Sequence, residues 1–280
     1  MTDAAVADAP GAAAPLLEGI GLGKRYGKLT VLSGLDLRVG AGEALGIIGP
    51  NGAGKSTLLG LISGAVRPSA GRLLLAGEDI TRRPAQWRAQ HGFACSFQIP
   101  RPFAGMTVLE NLMVAASFAG HARGRAAREL AIESLLRSGL SAHANTVAGD
   151  LRLLDRKRLE VARGLAADPR ILLLDEIAGG LTEAEVPELV DLVRGVVASG
   201  VTVVWIEHVV HALTAVASRL MCLTYGEVIA DGPPQEVLDS PQVKRVYLGI
   251  DPEEAAEVED AAGAPGPEAE GAVLKENRGA

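Results

Sequence analysis

Aromatic side chains are scarce. Phe, Trp and Tyr make up 3% of the 280 residues, too few for the stacking platforms that hold single-stranded nucleic acids. Cysteine is nearly missing: Cys95 and Cys222 stand far apart with no metal-ligand spacing around either. That excludes a disulfide framework and reads as two buried, reduced thiols in a cytosolic chain. The opening MTDAAVADAPGAAAP has acids where a secretory leader needs bases, and it has no apolar core. No run is long enough to cross a bilayer. The most apolar stretch, Val186 to Ile206, is interrupted by Glu188, Asp191 and Arg194, short of the ~18 uninterrupted apolar residues that a spanning helix needs. An excess of charge of one sign is also missing from most of the chain. Of the formal net charge of -7, residues 251–280 account for all, with nine acids and two bases, while residues 1–250 carry 25 of each. A uniformly basic nucleic-acid binder is thereby excluded, and no nucleic-acid partner is expected, although a local basic patch stays open.

What is present is an ordinary globular composition, 48% hydrophobic and 22% charged. Residues 1–15 are Ala/Pro-rich and are expected to be disordered. Residues 251–280 are Ala, Glu, Pro and Gly, and cannot bury enough surface to offset the entropy of ordering. No internal repeat is found. Between these tails, residues 16–250 alternate strand and helix signals. Strands are expected at Val31 to Val39, Ala44 to Ile48, Gly71 to Ala76, Gly92 to Phe97, Ile171 to Leu174, Val201 to Ile206 and Leu220 to Thr224. Helices are expected at Lys55 to Ser63, Asp155 to Ala167 and Glu183 to Ala198. Thr107 to about Gly139 has helical periodicity alone. Strands separated by helices require crossover connections, so the fold class is α/β with a mainly parallel core sheet and an inserted helical subdomain at about residues 100–165.

The chemistry starts after the strand Ala44 to Ile48. The run Gly49-Pro50-Asn51-Gly52-Ala53-Gly54-Lys55-Ser56-Thr57 has the Gly-x-x-x-x-Gly-Lys-Ser/Thr spacing between a buried strand and a helix. Glycines let the backbone wrap a phosphate with its N–H groups inward, and the helix N-terminus adds its positive end. Lys55 is expected to reach the β- and γ-phosphates, and Ser56 to ligate Mg²⁺. A second apolar strand ends in Asp175 and Glu176. Asp175 suits the Mg²⁺ shell, and Glu176 could polarise a water that attacks the γ-phosphate. The alternative for such a pair is a solvated strand end or helix cap. A third strand, VVWIEH, ends at His208, either a structural histidine or one that contacts the γ-phosphate or holds Glu176 and the water in line.

With these residues in place, the chain from about Leu16 to Ile250 resembles the ABC ATPases. The resemblance implies a P-loop NTPase fold with an antiparallel β subdomain beside the core sheet. It implies that Tyr26, in GKRYGKL, stacks on adenine, and that Gln98, in SFQIPRPFAGMTVLENL, touches Mg²⁺ and faces a membrane partner. It also assigns Glu176, His208 and Lys55 to catalysis, with ATP and Mg²⁺ as the bound groups. SFQIPRPFAGMTVLENL, RKRLEVARGLAADPRILLLDE and VKRVYLG are similar to the ATPases of branched-chain amino acid importers, with lipopolysaccharide-export ATPases as close relatives. Such importers imply a second ABC ATPase chain, transmembrane permeases and, indirectly, a solute-binding protein, at the cytoplasmic face of the cell membrane.

The pattern has departures. Where the family has Leu-Ser-Gly-Gly-Gln, this chain has Leu151-Arg152-Leu153-Leu154-Asp155. In the family that segment reaches the γ-phosphate held by a partner, so leucine bulk and the Asp155 charge are expected to weaken it, with Arg152, Arg156 and Lys157 partly offsetting that charge; alternatively Asp155 is the N-cap of the following helix. Ile177 replaces a proline and Thr182 an aspartate of the dimer-contacting loop. Three function classes follow: a transport ATPase in a dimer with unequal sites, a nucleotide-binding regulatory subunit that does not hydrolyse, and an ABC-type ATPase of nucleic-acid repair or translation.

Overall fold

Two sheets carry the architecture. The structure is a computed structural model that describes residues 14–96 and 98–248; the expected disordered tails fall almost wholly outside the described residues. The first sheet is antiparallel, β1 (Leu17–Tyr26), β2 (Leu29–Val39), β4 (Ala70–Leu75) and β5 (Glu78–Asp79), in the order β2-β1-β4-β5. The second has six strands in the order β10-β9-β3-β8-β7-β6: β3 (Ala44–Ile48), β6 (Phe93–Cys95), β7 (Ile171–Asp175), β8 (Thr202–Ile206), β9 (Arg219–Thr224) and β10 (Glu227–Gly232). Its neighbours are parallel except for β10, which returns antiparallel along β9. The buried runs Ala44–Ile48 and Thr202–Ile206 are covered on both faces, as parallel strands require.

Sequence periodicity does not show β1. Its alternation is broken by glycines, and its register slips between Gly19 and Leu22, where Gly21 takes φ 56. Strand β10 was also not expected, because its side chains are only half-buried at the sheet edge.

Helix α1 (Lys55–Ser63) follows β3, and α2 (Ala85–Gln90) precedes β6. Helices α3 (Val108–Phe118), α4 (Arg125–Arg137) and α5 (Leu153–Ala166) lie between β6 and β7. α3 starts with a full capping box, Thr107 receiving the Glu110 N–H while the Glu110 carboxylate receives the Thr107 N–H. Helix α6 (Val186–Ala198) buries Val186, Leu189, Val190, Val193 and Val196, a stripe at helical spacing facing the sheet. It starts three residues later than expected, because the Thr182 hydroxyl and N–H both donate to the Glu185 carboxylate and keep that segment a turn. Short helices α7 (Val210–Thr214), α8 (Pro234–Asp239) and α9 (Pro241–Leu248) complete the chain.

Three apolar clusters result. One lies between the two sheets and around α1, including Leu37, Ile47, Leu58, Ile62 and Leu173. The second covers the other face of the parallel sheet with α5 and α6. The third joins α3, α4 and one face of α5, with Val108, Leu112, Ala131, Leu135 and Leu159. Helix α5 thus serves two clusters: Leu154, Val161 and Leu165 face the sheet, while Leu159, Ala162 and Ala166 face the helices. At the far end of α1, Gly64 ends the helix in the left-handed region. The buried Arg88 guanidinium donates to the Leu61, Ile62 and Ile80 carbonyls. Burial lowers its pKa to about 10, so it keeps its charge at neutral pH, where a cation at a helix C-terminus is favoured.

Candidate functional site

The order β3-β8-β7-β6 brings four loops to one edge of the sheet, beyond the carboxyl ends of adjacent strands. Gly49 to Gly54 follow β3, Glu207 and His208 follow β8, Asp175 ends β7 and Glu176 follows it, and Gln98 lies three residues beyond β6.

The glycine loop is sterically committed. At Gly49 (φ 148) a Cβ would stand 2.0 Å from the Leu223 carbonyl oxygen. At Gly54 (φ 104), the residue before α1, it would stand 2.8 Å from Leu32 Cδ2 and 3.0 Å from the Val31 carbonyl oxygen. No acid occupies the first turn of α1, so its free N–H groups and dipole face the loop interior. Lys55 Nζ donates to the Gly49 and Pro50 carbonyls at 2.7 and 3.1 Å. Burial lowers its pKa, against the raising pull of Glu176 and Asp175. A cleft lined by Asn51 to Thr57, Glu176, Leu29 and Val31 opens over this loop. Tyr26, half exposed at the end of β1, pairs with Leu29 and carries Lys24 Nζ 4.7 Å from its ring centre.

Opposite the loop, the Glu176 carboxylate is shared. Gln98 Nε2 donates to one oxygen at 2.6 Å, and His208 Nε2 lies 2.8 Å from the other. A carboxylate can only accept, so the histidine proton in this pair sits on Nε2. The structure therefore brings together Gln98, Glu176 and His208, residues 78 and 32 positions apart. Asp175 beside them is different. Burial, then the Glu176 charge, raises its pKa, and its Oδ1 is buried without a hydrogen-bond partner. An orphaned hard oxygen within electrostatic reach of Lys55 fits a Mg²⁺ that is completed by phosphate oxygens and water. Among the described residues no group of three or more His, Cys, Asp and Glu could hold a metal unaided.

Two side chains that sequence reasoning did not assign to this edge support it. Lys157, on α5, donates to the carbonyls of Gln98 and Glu176 at 3.0 and 3.4 Å. Glu207 accepts the Ala178 N–H at 2.6 Å and the Trp205 indole N–H at 3.3 Å. Leu29 and Val31 were missed as well; being next to Tyr26 in the hairpin is the signal that could have flagged them.

The Leu151–Asp155 segment corrects one expectation. Asp155 is not the N-cap of α5. Arg152 holds that position, and Asp155 lies inside the first turn. Its carboxylate faces Arg158 at 3.4 Å and His143 at 3.8 Å. Leu151 and Leu154 are buried, in the helical and sheet-facing clusters respectively, while Leu153 is 42% exposed. Ile177 is fully buried in the cluster with Leu154.

A strand, a sterically enforced glycine loop and a helix with a buried lysine, on a mainly parallel sheet, define a P-loop nucleoside triphosphatase. The ABC transporter family model matches residues 32–179, and a model for branched-chain amino acid ATP-binding cassette transporters matches residues 227–252. The chain belongs to the ABC transporter family and is its ATP-binding subunit, an ABC-type ATPase. It is 36% identical to the high-affinity branched-chain amino acid transport ATP-binding protein BraF of Pseudomonas aeruginosa, over 84% of this chain and 98% of that one. LivG of Escherichia coli, of the same description, is 35% identical over the same shares. The lipopolysaccharide export system ATP-binding protein LptB of Haemophilus influenzae is 35% identical over 81% of this chain and 95% of its own. Among solved structures, an ATP-binding cassette of an ABC transporter in its ADP conformation superposes with a TM-score of 0.78 at 28% identity, over 85% of this chain and 100% of that one. A nucleotide-free cassette gives 0.77 at 28% identity, over 84% and 100%. Among the described residues no helix is long and apolar enough to cross a membrane.

Proposed function

We propose that this chain drives import of branched-chain amino acids, or a related small polar solute, by hydrolysing ATP at the edge built from β3, β6, β7 and β8. The observation that carries the hydrolytic reading is the Glu176 carboxylate held between Gln98 and His208, facing Lys55 across the cleft. Adenine rests on Tyr26, and the phosphates lie along Gly49 to Thr57. Ser56, Gln98 and Asp175 would hold Mg²⁺, which supplies charge neutralisation at the phosphate oxygens. Glu176 orients the attacking water, and His208 keeps the carboxylate in line.

The import reading is supported by the family match at residues 227–252 and by the likeness to BraF and LivG. The comparable likeness to LptB makes lipid export the competing reading. The chain pairs with a second ABC ATPase beneath transmembrane permeases at the cytoplasmic face of the membrane, with a solute-binding protein acting indirectly. Because Leu151 to Asp155 is altered, the site completed by this segment in the partner is the slower one. Residues 16–250 form the ATPase domain, with residues 100–165 as its helical part.

The test is Mg²⁺-dependent ATP hydrolysis by the purified chain, alone and with its second ATPase, with Glu176→Gln as control. Turnover that rises with the partner and is lost in Glu176→Gln supports the reading; tight ATP binding without turnover refutes it. Leucine uptake by vesicles that carry the full complex separates import from export.

A further inference from the structure

Glu176 occupies a strained backbone position. Its φ is 48°, in the left-handed region, which a non-glycine residue keeps only where its surroundings impose it. Three contacts do so. The Glu176 N–H donates to the Ile206 carbonyl at 2.8 Å, extending the β7–β8 register by one residue. Before the turn and at its carbonyl sits Lys157 Nζ, joined to Gln98 and Glu176. After it sits Glu207, whose carboxylate accepts the Ala178 N–H with one oxygen and the His208 N–H, at 3.3 Å, with the other. The Trp205 indole fixes the Glu207 carboxylate from inside the core.

Lys157 and Glu207 are 3% and 1% exposed. Burying such charges is a poor way to gain stability, since apolar residues of similar volume commonly serve as well or better. What these two supply is a fixed geometry. Each connects the Glu176 turn to one of the residues that its carboxylate meets: Lys157 ties it to the Gln98 backbone, Glu207 to the His208 backbone.

We propose that Lys157 and Glu207 are positioning residues for ATP hydrolysis, gripping the two sides of the Glu176 turn so that its carboxylate stays between Gln98 and His208. The inference rests on the reading of Glu176 as the residue that orients water. It predicts a loss confined to turnover, because neither side chain lines the nucleotide cleft.

The test uses the active ATPase assembly with Lys157→Met and Glu207→Gln, alone and combined with Glu176→Gln. Turnover is read with radiolabelled ATP, and affinity with a fluorescent ATP analogue. Each single variant is expected to lower kcat about tenfold or more while affinity stays within about threefold. Each is expected to add almost nothing in the Glu176→Gln background, since the three act as one unit. Should Lys157→Met not fold, Lys157→Gln, which keeps a donor, is expected to show the same split. Unchanged turnover, parallel loss of turnover and affinity, or losses that multiply with Glu176→Gln overturn the proposal. Turnover retained by Glu176→Gln alone refutes the role of Glu176 itself; turnover lost there but kept in both other variants refutes only the grip.

Discussion

Helix α1 begins directly after a strand of the parallel sheet and α5 begins after α4; both have first-turn amides that no helix carbonyl can reach, yet their N-termini are opposites. At α1 the preceding residue is Gly54, the first turn holds no acid, and there is no room for a Cβ at Gly49 or Gly54. At α5 the preceding residue is Arg152, the first turn holds Asp155, and Leu154 fills the adjacent core. Helix dipole and free amides are generic to both. What separates an anion cradle from a plain helix start is the missing Cβ and the missing carboxylate. The Asp155 charge is also spoken for, being shared with Arg158 and His143.

The comparison can be broken most forcefully at the cradle. Gly49→Ala places its methyl against the Leu223 carbonyl, and ATP affinity by fluorescence titration is expected to fall about 100-fold or more, with a lowered melting temperature. At α5 the converse change, Leu154→Gly, empties a buried site; urea unfolding is expected to show a loss of about 3–5 kcal/mol from the cavity and the helical glycine together. Lys55→Ala removes the cradle's cation without a steric insult, and ATP affinity is expected to weaken by about 10–100-fold, the worth of a hydrogen bond to a charged group. Leu153→Gly, at the half-exposed neighbour, is expected to cost about 1 kcal/mol, the helix-propensity difference alone. A Leu153→Gly cost equal to that of Leu154→Gly would erase the distinction between the two positions.

The smallest effect concerns pH. Burial raises the Asp175 pKa above its usual value, so the folded chain holds that proton more tightly than the unfolded one. Its destabilising contribution is therefore absent in acid and grows as pH rises through the raised pKa. In nucleotide-free protein, the melting-temperature advantage of Asp175→Asn over the parent is expected to increase between about pH 4 and pH 7. A constant difference across that range contradicts the assignment.

Legibility followed range. Ala44–Ile48 and Lys55–Ser63 could be read residue for residue, because a continuous apolar run and a glycine-bounded helical stripe are local signals. β1 could not, since its bulge and glycines break the alternation that defines a strand. The start of α5 was placed two residues late, because Leu153 and Leu154 looked like altered loop residues rather than a first helical turn. In the site, the strand-end pattern singled out Glu176 and His208, and the resemblance to the ABC ATPases added Gln98. That they meet at one carboxylate depends on β6, β7 and β8 being neighbours, which is a property of the sheet and not of any window of sequence. Lys157 and Glu207 looked like ordinary charged residues, for burial of a charge has no local signature.

Arg88 has a consequence for how the cradle breathes. Its single guanidinium ties the last carbonyls of α1 to the Ile80 carbonyl just beyond β5. The far end of α1 and the outer hairpin of the antiparallel sheet cannot open independently while those bonds last. Amide exchange in the last turn of α1 and around residues 80–83 should then follow one opening free energy, a cooperative unit that joins a helix end to a hairpin through a single side chain.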